Sequence, residues 1–151
     1  MSVEQQAAIV AKLNQILEHE LAGVVRYTHY SFMVFGYSRI PIVGWFHSAA
    51  TETLTHAQEA GEMITRFGEH PSLGIGGLLE TYEHDIRDIL LESLDFERQG
   101  VQHYYELLAL AEKAELVYVE EYARRLITDE ETHIGDIDKM LRKPGQIDSV
   151  V

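Results

Sequence analysis

Five side chains that can bind a metal ion interrupt otherwise apolar stretches of the sequence: Glu20, His56, Glu97, Glu130 and His133. Carboxylate and imidazole groups together are suitable ligands for iron, manganese or zinc. Glu130 and His133 form a Glu-x-x-His pair, and this spacing places both side chains on one face of a helix. The chain has no cysteine, which excludes thiolate ligands. These residue types therefore indicate a metal site built from carboxylates and imidazoles.

Four amphipathic segments carry these residues, at about positions 4–35, 41–67, 79–112 and 115–142. Glycine and proline mark the breaks between the first three segments, and a softer break lies near 112–116. Apolar residues recur at helical spacing within each segment, and none alternates with a period of two. The sequence therefore predicts four long helices that bury their apolar stripes against one another in an antiparallel bundle.

The polar interruptions fall near the middle of their segments, as Glu20 does between Ile16 and Val24. Midpoints of long helices meet at the centre of a bundle whichever way the helices run. Burying several carboxylates together is costly because each loses water and repels the others. A cation at the centre would cancel that cost, so we expect a metal ion there.

Composition limits the classes to which the chain can belong. Its 151 residues, 46% of them apolar, predict a single domain over 1–151. A net charge of −13 argues against binding the phosphate backbone of a nucleic acid. No apolar run is long enough for a membrane span, and the first residues lack a signal-peptide pattern. We expect a cytoplasmic protein that binds neither nucleic acid nor membrane.

Four motifs and one tyrosine resemble those of the bacterioferritins, a group of ferritin-like iron-storage proteins, and the resemblance covers nearly the whole chain. They are His19-Glu20-Leu21-Ala22 with Tyr27, Leu54-Thr55-His56-Ala57, Leu94-Asp95-Phe96-Glu97 and Asp129-Glu130-Glu131-Thr132-His133-Ile134. The resemblance implies a ferritin-like four-helix bundle with a long crossover between helices 2 and 3. The link at 68–77 permits this, since ten extended residues reach roughly 33 Å.

The resemblance also implies roles for the candidate residues. Glu20 and His56 would hold one iron. Glu97 and His133 would hold the second, with Glu130 as the bridge between them.

By the same resemblance, Tyr27 would hydrogen-bond near the site or donate an electron. The implied activity is that of a ferroxidase, in which Fe(II) is oxidised by O₂ or peroxide at a di-iron site. The ferric product would be stored inside a homo-oligomeric cage of 24 subunits.

Two positions depart from the bacterioferritin pattern. The second bridging glutamate should stand three residues before His56, where this chain has Thr53. Glu52 lies beside it and is a further candidate metal ligand, about 100° around the helix. The haem-binding methionine falls on Leu54, so we expect no haem.

Two alternative functions remain open from the sequence. One is a ferritin-like protein with a degenerate single-metal or inert site, because Thr53 offers a weaker ligand than a carboxylate. The other is an oxidase or peroxidase resembling the rubrerythrins, although the cysteine-rich module typical of that group is missing.

Overall fold

The computed structural model describes all 151 residues and contains four α-helices and no strands. They are α1 (Val3–Phe32), α2 (Arg39–Arg66), α3 (Ile86–Lys113) and α4 (Val117–Leu141). The helices α1 and α2 pack as one pair, α3 and α4 as another, and α1 also contacts α3. The predicted all-α four-helix bundle is confirmed. None of the helices combines the length and low polarity needed to cross a membrane.

The crossover between α2 and α3 runs along α1. It begins where Gln6 of α1 donates a hydrogen bond to the carbonyl oxygen of Phe67. Crossover residues then contact α1 at points progressively nearer its end: Ser72 contacts Asn14, Gly76 contacts Glu18 and Glu80 contacts His29. The chain therefore travels from the start of α1 to its end before α3 begins. This makes α2 and α3 parallel, as the long crossover requires.

The prediction that the third helix begins near position 79 is wrong, because α3 begins at Ile86. Leu79 and Tyr82 have φ angles of +52° and +56°, which an α-helix cannot contain. Asp85 caps the helix instead, since its carboxylate accepts a hydrogen bond from the backbone nitrogen of Arg87 at 2.9 Å. The first helix also ends slightly earlier than predicted, at Phe32.

The apolar core is divided into two clusters by a polar layer. One cluster contains Ile9, Leu13 and their neighbours towards the start of α1. The other contains Tyr27, Phe46 and their neighbours towards its end. The side chain of Glu20 lies between the two clusters and is buried. The bundle thus places one layer of polar groups at its middle, closed off by apolar packing above and below.

Candidate metal centre

The five residues singled out by the sequence meet in this polar layer, and all five are buried. Their exposed fractions are 3% for Glu20, 3% for His56, 2% for Glu97, 4% for Glu130 and 9% for His133. Each helix contributes at least one of them, because each lies on the inward stripe of its own helix. The structure therefore brings all five into one enclosed cluster.

Glu130 occupies the middle of the cluster and turns one carboxylate oxygen towards each imidazole. Its Oε1 lies 3.1 Å from Nδ1 of His56, and its Oε2 lies 3.8 Å from Nδ1 of His133. Glu20 and Glu97 complete the two sides, at 3.8 Å from the His56 nitrogen and 3.5 Å from the His133 nitrogen. Two groups of three ligand atoms result, each close enough to share one cation, and Glu130 belongs to both.

A buried tyrosine donates a hydrogen bond to each of the two carboxylates that flank Glu130, namely Glu97 and Glu20. The Tyr27 hydroxyl of α1 donates a hydrogen bond to Oε1 of Glu97 on α3. The Tyr104 hydroxyl of α3 donates to Oε1 of Glu20 on α1 at 2.8 Å. Burial, together with the nearby carboxylates, raises the pKa of both tyrosines well above the usual value. Both hydroxyls thus remain protonated donors that fix the orientation of the carboxylates.

Crowding of charged groups in the layer shifts the pKa values of its carboxylates and imidazoles. Burial, and then the charge of Glu97, raise the pKa of Glu130 well above its usual value, and burial raises the pKa of Glu20. Burial would also raise the pKa of Glu97, but the close approach of Glu130 and His133 outweighs burial and lowers this pKa. Burial opposes protonation of the imidazoles, yet their carboxylate contacts raise the pKa of His56 to about 10 and of His133 to about 12. Without a cation, the layer balances its charge by retaining protons.

The donor set fits a metal ion better than it fits a network of ion pairs. The Nδ1 atom of His133 is buried and has no hydrogen-bond partner, although it faces the carboxylates of Glu97 and Glu130. No arginine or lysine lies within salt-bridge distance of any of the five side chains. A buried group with no partner is costly, and a cation bound to Nδ1 and the carboxylates would supply one.

Thr53 is buried inside the bundle, whereas the neighbouring Glu52 is partly exposed to solvent. Thr53 is buried with 4% exposure, and its methyl group packs towards Gly23 of α1. The side chain of Glu52 is 42% exposed. It approaches the Nε2 atoms of His56 and His133, which lie on the opposite side of each ring from Nδ1 and the interior cluster. Leu54 lies on the surface of α2 with 42% exposure and offers no ligand atom for haem iron.

The polar layer has an approximate twofold symmetry that is also visible in the sequence. An offset of 77 positions relates Glu20 to Glu97 and His56 to His133. The same offset relates Tyr27 to Tyr104, Glu52 to Asp129 and Thr53 to Glu130. Four of these five pairs conserve the chemical type, and only the last replaces a carboxylate by a hydroxyl. The symmetry is therefore broken at one pair, in which Thr53 takes the place that Glu130 occupies on α4.

The candidate residues chosen from the sequence include neither Tyr104 nor Asp129, although both lie beside the cluster. Tyr104 binds Glu20, and Oδ2 of Asp129 lies 3.5 Å from Nε2 of His56. The fixed offset would have identified both, because Tyr27 and Glu52 were already candidates.

Comparison with known proteins gives one family match. A family model described as the ferritin-like domain matches residues 10–147. No curated protein sequence matches the chain significantly.

Several solved structures have a similar fold. A ferritin-like diiron-carboxylate protein of Bacillus anthracis is 22% identical, with a TM-score of 0.88 over 94% of this chain and 100% of that chain. A dodecameric thioferritin, the bacterioferritin-related protein of Bacteroides fragilis, is 21% identical, with a TM-score of 0.83 over 90% and 85%. The bacterioferritin of Rhodobacter capsulatus, with a metal-free dinuclear site and haem iron, is 19% identical, with a TM-score of 0.80 over 89% and 84%. At these identities the similarity establishes the fold alone.

Proposed function

The chain belongs to the ferritin-like domain family, and from this premise we propose that it binds two iron ions between its helices and oxidises Fe(II). One observation carries the proposal, namely that the Glu130 carboxylate faces a different buried imidazole with each of its oxygens. Such an arrangement suits two cations that share one ligand. The similar Bacillus anthracis structure is described as a diiron-carboxylate protein.

Each protein group has a definite role in the proposed site. Glu20 and His56 would hold one iron and Glu97 and His133 the other, with Glu130 between them. Two ferrous ions held there would each give up one electron, and O₂ would take up both electrons with two protons to form hydrogen peroxide. Enclosure between the two apolar clusters excludes bulk water, which strengthens the electrostatic stabilisation of the ferric product by the carboxylates.

Tyr27 would keep the carboxylate of Glu97 in place through its hydrogen bond, and Tyr104 would do the same for Glu20. Tyr27 also remains the candidate for donating an electron to the site. Because the hydroxyls donate to carboxylate oxygens, each carboxylate has a fixed orientation before a metal binds, which reduces the reorganisation that binding requires.

We further propose that ferric iron is stored in a closed homo-oligomer. The bacterioferritin resemblance favours a cage of 24 subunits, while the similar Bacteroides fragilis protein is described as dodecameric. Either assembly would enclose a space in which ferric mineral can form. A rubrerythrin-like oxidase or peroxidase would need no such cage.

Stopped-flow measurement of Fe(II) oxidation tests the activity. Replacing Glu97 or His133 by Ala should abolish the fast phase, because each change removes a ligand from one of the two positions. Glu131→Ala is the matched control, since this exposed neighbour of Glu130 lies outside the cluster. Unchanged oxidation in the Glu97 and His133 variants would refute the ferroxidase proposal.

A second candidate is a single-metal or inert subunit, which Thr53 favours because the hydroxyl replaces a bridging carboxylate. Thr53→Glu would restore the chemical symmetry between α2 and α4. If the native site is degenerate, this variant should gain a second metal and oxidise Fe(II) faster. No gain over the native chain would count against the degenerate site.

A further inference from the structure

Arg26 of α1 is a buried arginine without an anionic partner. It is 7% exposed, and none of the ion pairs in the protein includes it. Its Nη2 atom donates a hydrogen bond to the Tyr30 hydroxyl at 3.1 Å, whereas its buried Nε atom has no hydrogen-bond partner. A buried charge is costly unless a counter-charge and hydrogen bonds compensate it. The guanidinium therefore retains the capacity to bind an anion.

The side chains around Arg26 hold its guanidinium in place. The central guanidinium carbon lies 4.5 Å from the centre of the Phe96 ring on α3, which is within the range of a cation–π contact. The Tyr30 hydroxyl that accepts a hydrogen bond from Arg26 donates one to Oε2 of Glu92 at 2.8 Å. Because its position is fixed before any ligand arrives, the guanidinium can bind an anion with little loss of conformational freedom.

A small pocket of about 210 Å³ lies beside Arg26, between α1 and the crossover. Val25, Leu78 and Leu79 form its apolar wall, and the rest of the lining consists of Arg26, His29, Tyr30 and Glu80. The volume equals that of roughly seven molecules of liquid water. The pocket is therefore smaller than the sites that hold drug-sized ligands.

We propose that this pocket binds a small carboxylate that carries a short apolar chain. The carboxylate accepts hydrogen bonds from Arg26, because the planar guanidinium matches the two oxygens of a carboxylate. The chain lies against Val25, Leu78 and Leu79, where it displaces water from apolar surface. At roughly 30 Å³ for each water-sized group, a carboxylate with a chain of about five carbon atoms fills the pocket.

Glu80 is the one acid in the lining, and it does not neutralise Arg26. Its side chain is 52% exposed and lies 3.9 Å from Nε2 of His29, so water and salt screen its charge. An acidic side chain of a second copy is a less suitable occupant. Arg26 is buried within one chain, and a side chain fixed to another backbone would have to cross the apolar wall to reach it.

Calorimetric titration of the native full-length protein with sodium hexanoate tests the proposal. Arg26→Met removes the charge, keeps most of the apolar volume, and should weaken hexanoate binding by about 10- to 100-fold. Arg66→Met is the matched control, because it removes the same charge from an exposed position on α2 that lines a different pocket. This control should bind hexanoate as the native protein does.

Two further comparisons separate the charged group of the ligand from its chain. Hexan-1-ol has the apolar chain without the charge, and it should bind the native protein at least about tenfold more weakly than hexanoate does. Leu78→Ser removes part of the apolar wall, so it should weaken the binding of hexanoate but not that of acetate.

Thermal unfolding gives a second readout and checks that the variants fold. Hexanoate should raise the unfolding temperature of the native protein, since a ligand that binds only the folded state stabilises it. It should leave that of Arg26→Met unchanged. Arg26→Lys keeps the charge without the planar fork, and intermediate binding by this variant supports the proposal even if Arg26→Met does not fold.

Equal hexanoate affinity in Arg26→Met and the native protein would overturn the inference. Equal affinity of the native protein for hexanoate and hexan-1-ol would also overturn it, because the guanidinium would then have no part in binding. A native protein that binds no hexanoate would overturn it as well. If Arg26→Met then also lowers the mass of the assembly in light scattering, an acid of a second copy occupies the pocket instead.

Discussion

Glu130 is the residue that both proposed metal positions share, because its two oxygens approach two different imidazoles. Glu20 and Glu97, in contrast, each serve one side. We therefore expect loss of Glu130 to affect both metal positions, and loss of Glu20 or Glu97 to affect only one.

Metal stoichiometry should reveal this difference. Glu20→Gln should reduce tight Zn(II) binding from two ions to one per chain, whereas Glu130→Gln should weaken both. Equilibrium dialysis followed by metal analysis measures the ratio. Two tightly bound ions in Glu130→Gln would show that this carboxylate is not shared.

Metal binding should also depend on pH. The imidazoles have raised pKa values, about 10 for His56 and about 12 for His133, so both are protonated in the metal-free protein at neutral pH. A metal requires the unprotonated Nδ1, and binding must displace protons. Affinity should therefore increase as the pH rises.

Titrating metal into the protein in two buffers of different ionisation enthalpy measures the number of protons released. At least one proton per metal is expected. Binding without proton release, or affinity that falls as the pH rises, would contradict the described protonation of the cluster.

At the scale of the helices, Gly23 sets how closely α1 approaches its neighbours beside the site. A Cβ atom at this position would lie 2.7 Å from Cγ2 of Thr53 and 2.8 Å from the ring of Phe96. Both neighbours are buried and have little space to move.

Gly23→Ala should therefore destabilise the metal-free protein by about 1–3 kcal/mol through overpacking. Gly61→Ala in α2 is the control, because nothing lies within 4 Å of a Cβ atom there. The control should gain roughly 0.5–1 kcal/mol, since alanine favours a helix over glycine. Urea unfolding measures both, and equal stability of the two variants would refute the packing at Gly23.

The four helices could be predicted from the sequence because their apolar residues recur at helical spacing over many turns. The start of α3 could not, since the residues from Leu79 to Asp85 are compatible with a helix. Tertiary contacts hold them outside it, for example the contact of Glu80 with His29 of α1. Local propensity is overridden there by contacts with distant parts of the chain.

The interior cluster could also be predicted, because a carboxylate or imidazole within an apolar stripe is conspicuous. The outer acids were harder to assign. Glu52 and Asp129 lie at partly exposed positions, where acidic residues are common and need no ligand. Only the folded arrangement brings each of them to the histidine of the opposite helix.

At the scale of the whole molecule, a single chain leaves many large apolar side chains in solvent. They lie near the end of α1 and along the crossover, and include Phe32, Phe35, Leu73, Ile75 and Tyr82. Exposed apolar surface of this kind commonly marks an interface between protein chains. It supports the proposed homo-oligomer.

Light scattering coupled to size exclusion should therefore give the mass of a closed assembly rather than one chain. Leu73→Glu, at a side chain that is 95% exposed, should shift the population towards smaller species, because burying a charge at an interface is costly. A native protein that elutes as a monomer or dimer would contradict the cage and favour the rubrerythrin-like alternative.

In the proposed site, two cations share Glu130 inside the bundle. Anomalous diffraction at the iron edge from iron-loaded crystals tests it directly. The expected result is two peaks per chain, one among Glu20, His56 and Glu130 and the other among Glu97, His133 and Glu130. A single peak, or none at these side chains, would contradict it.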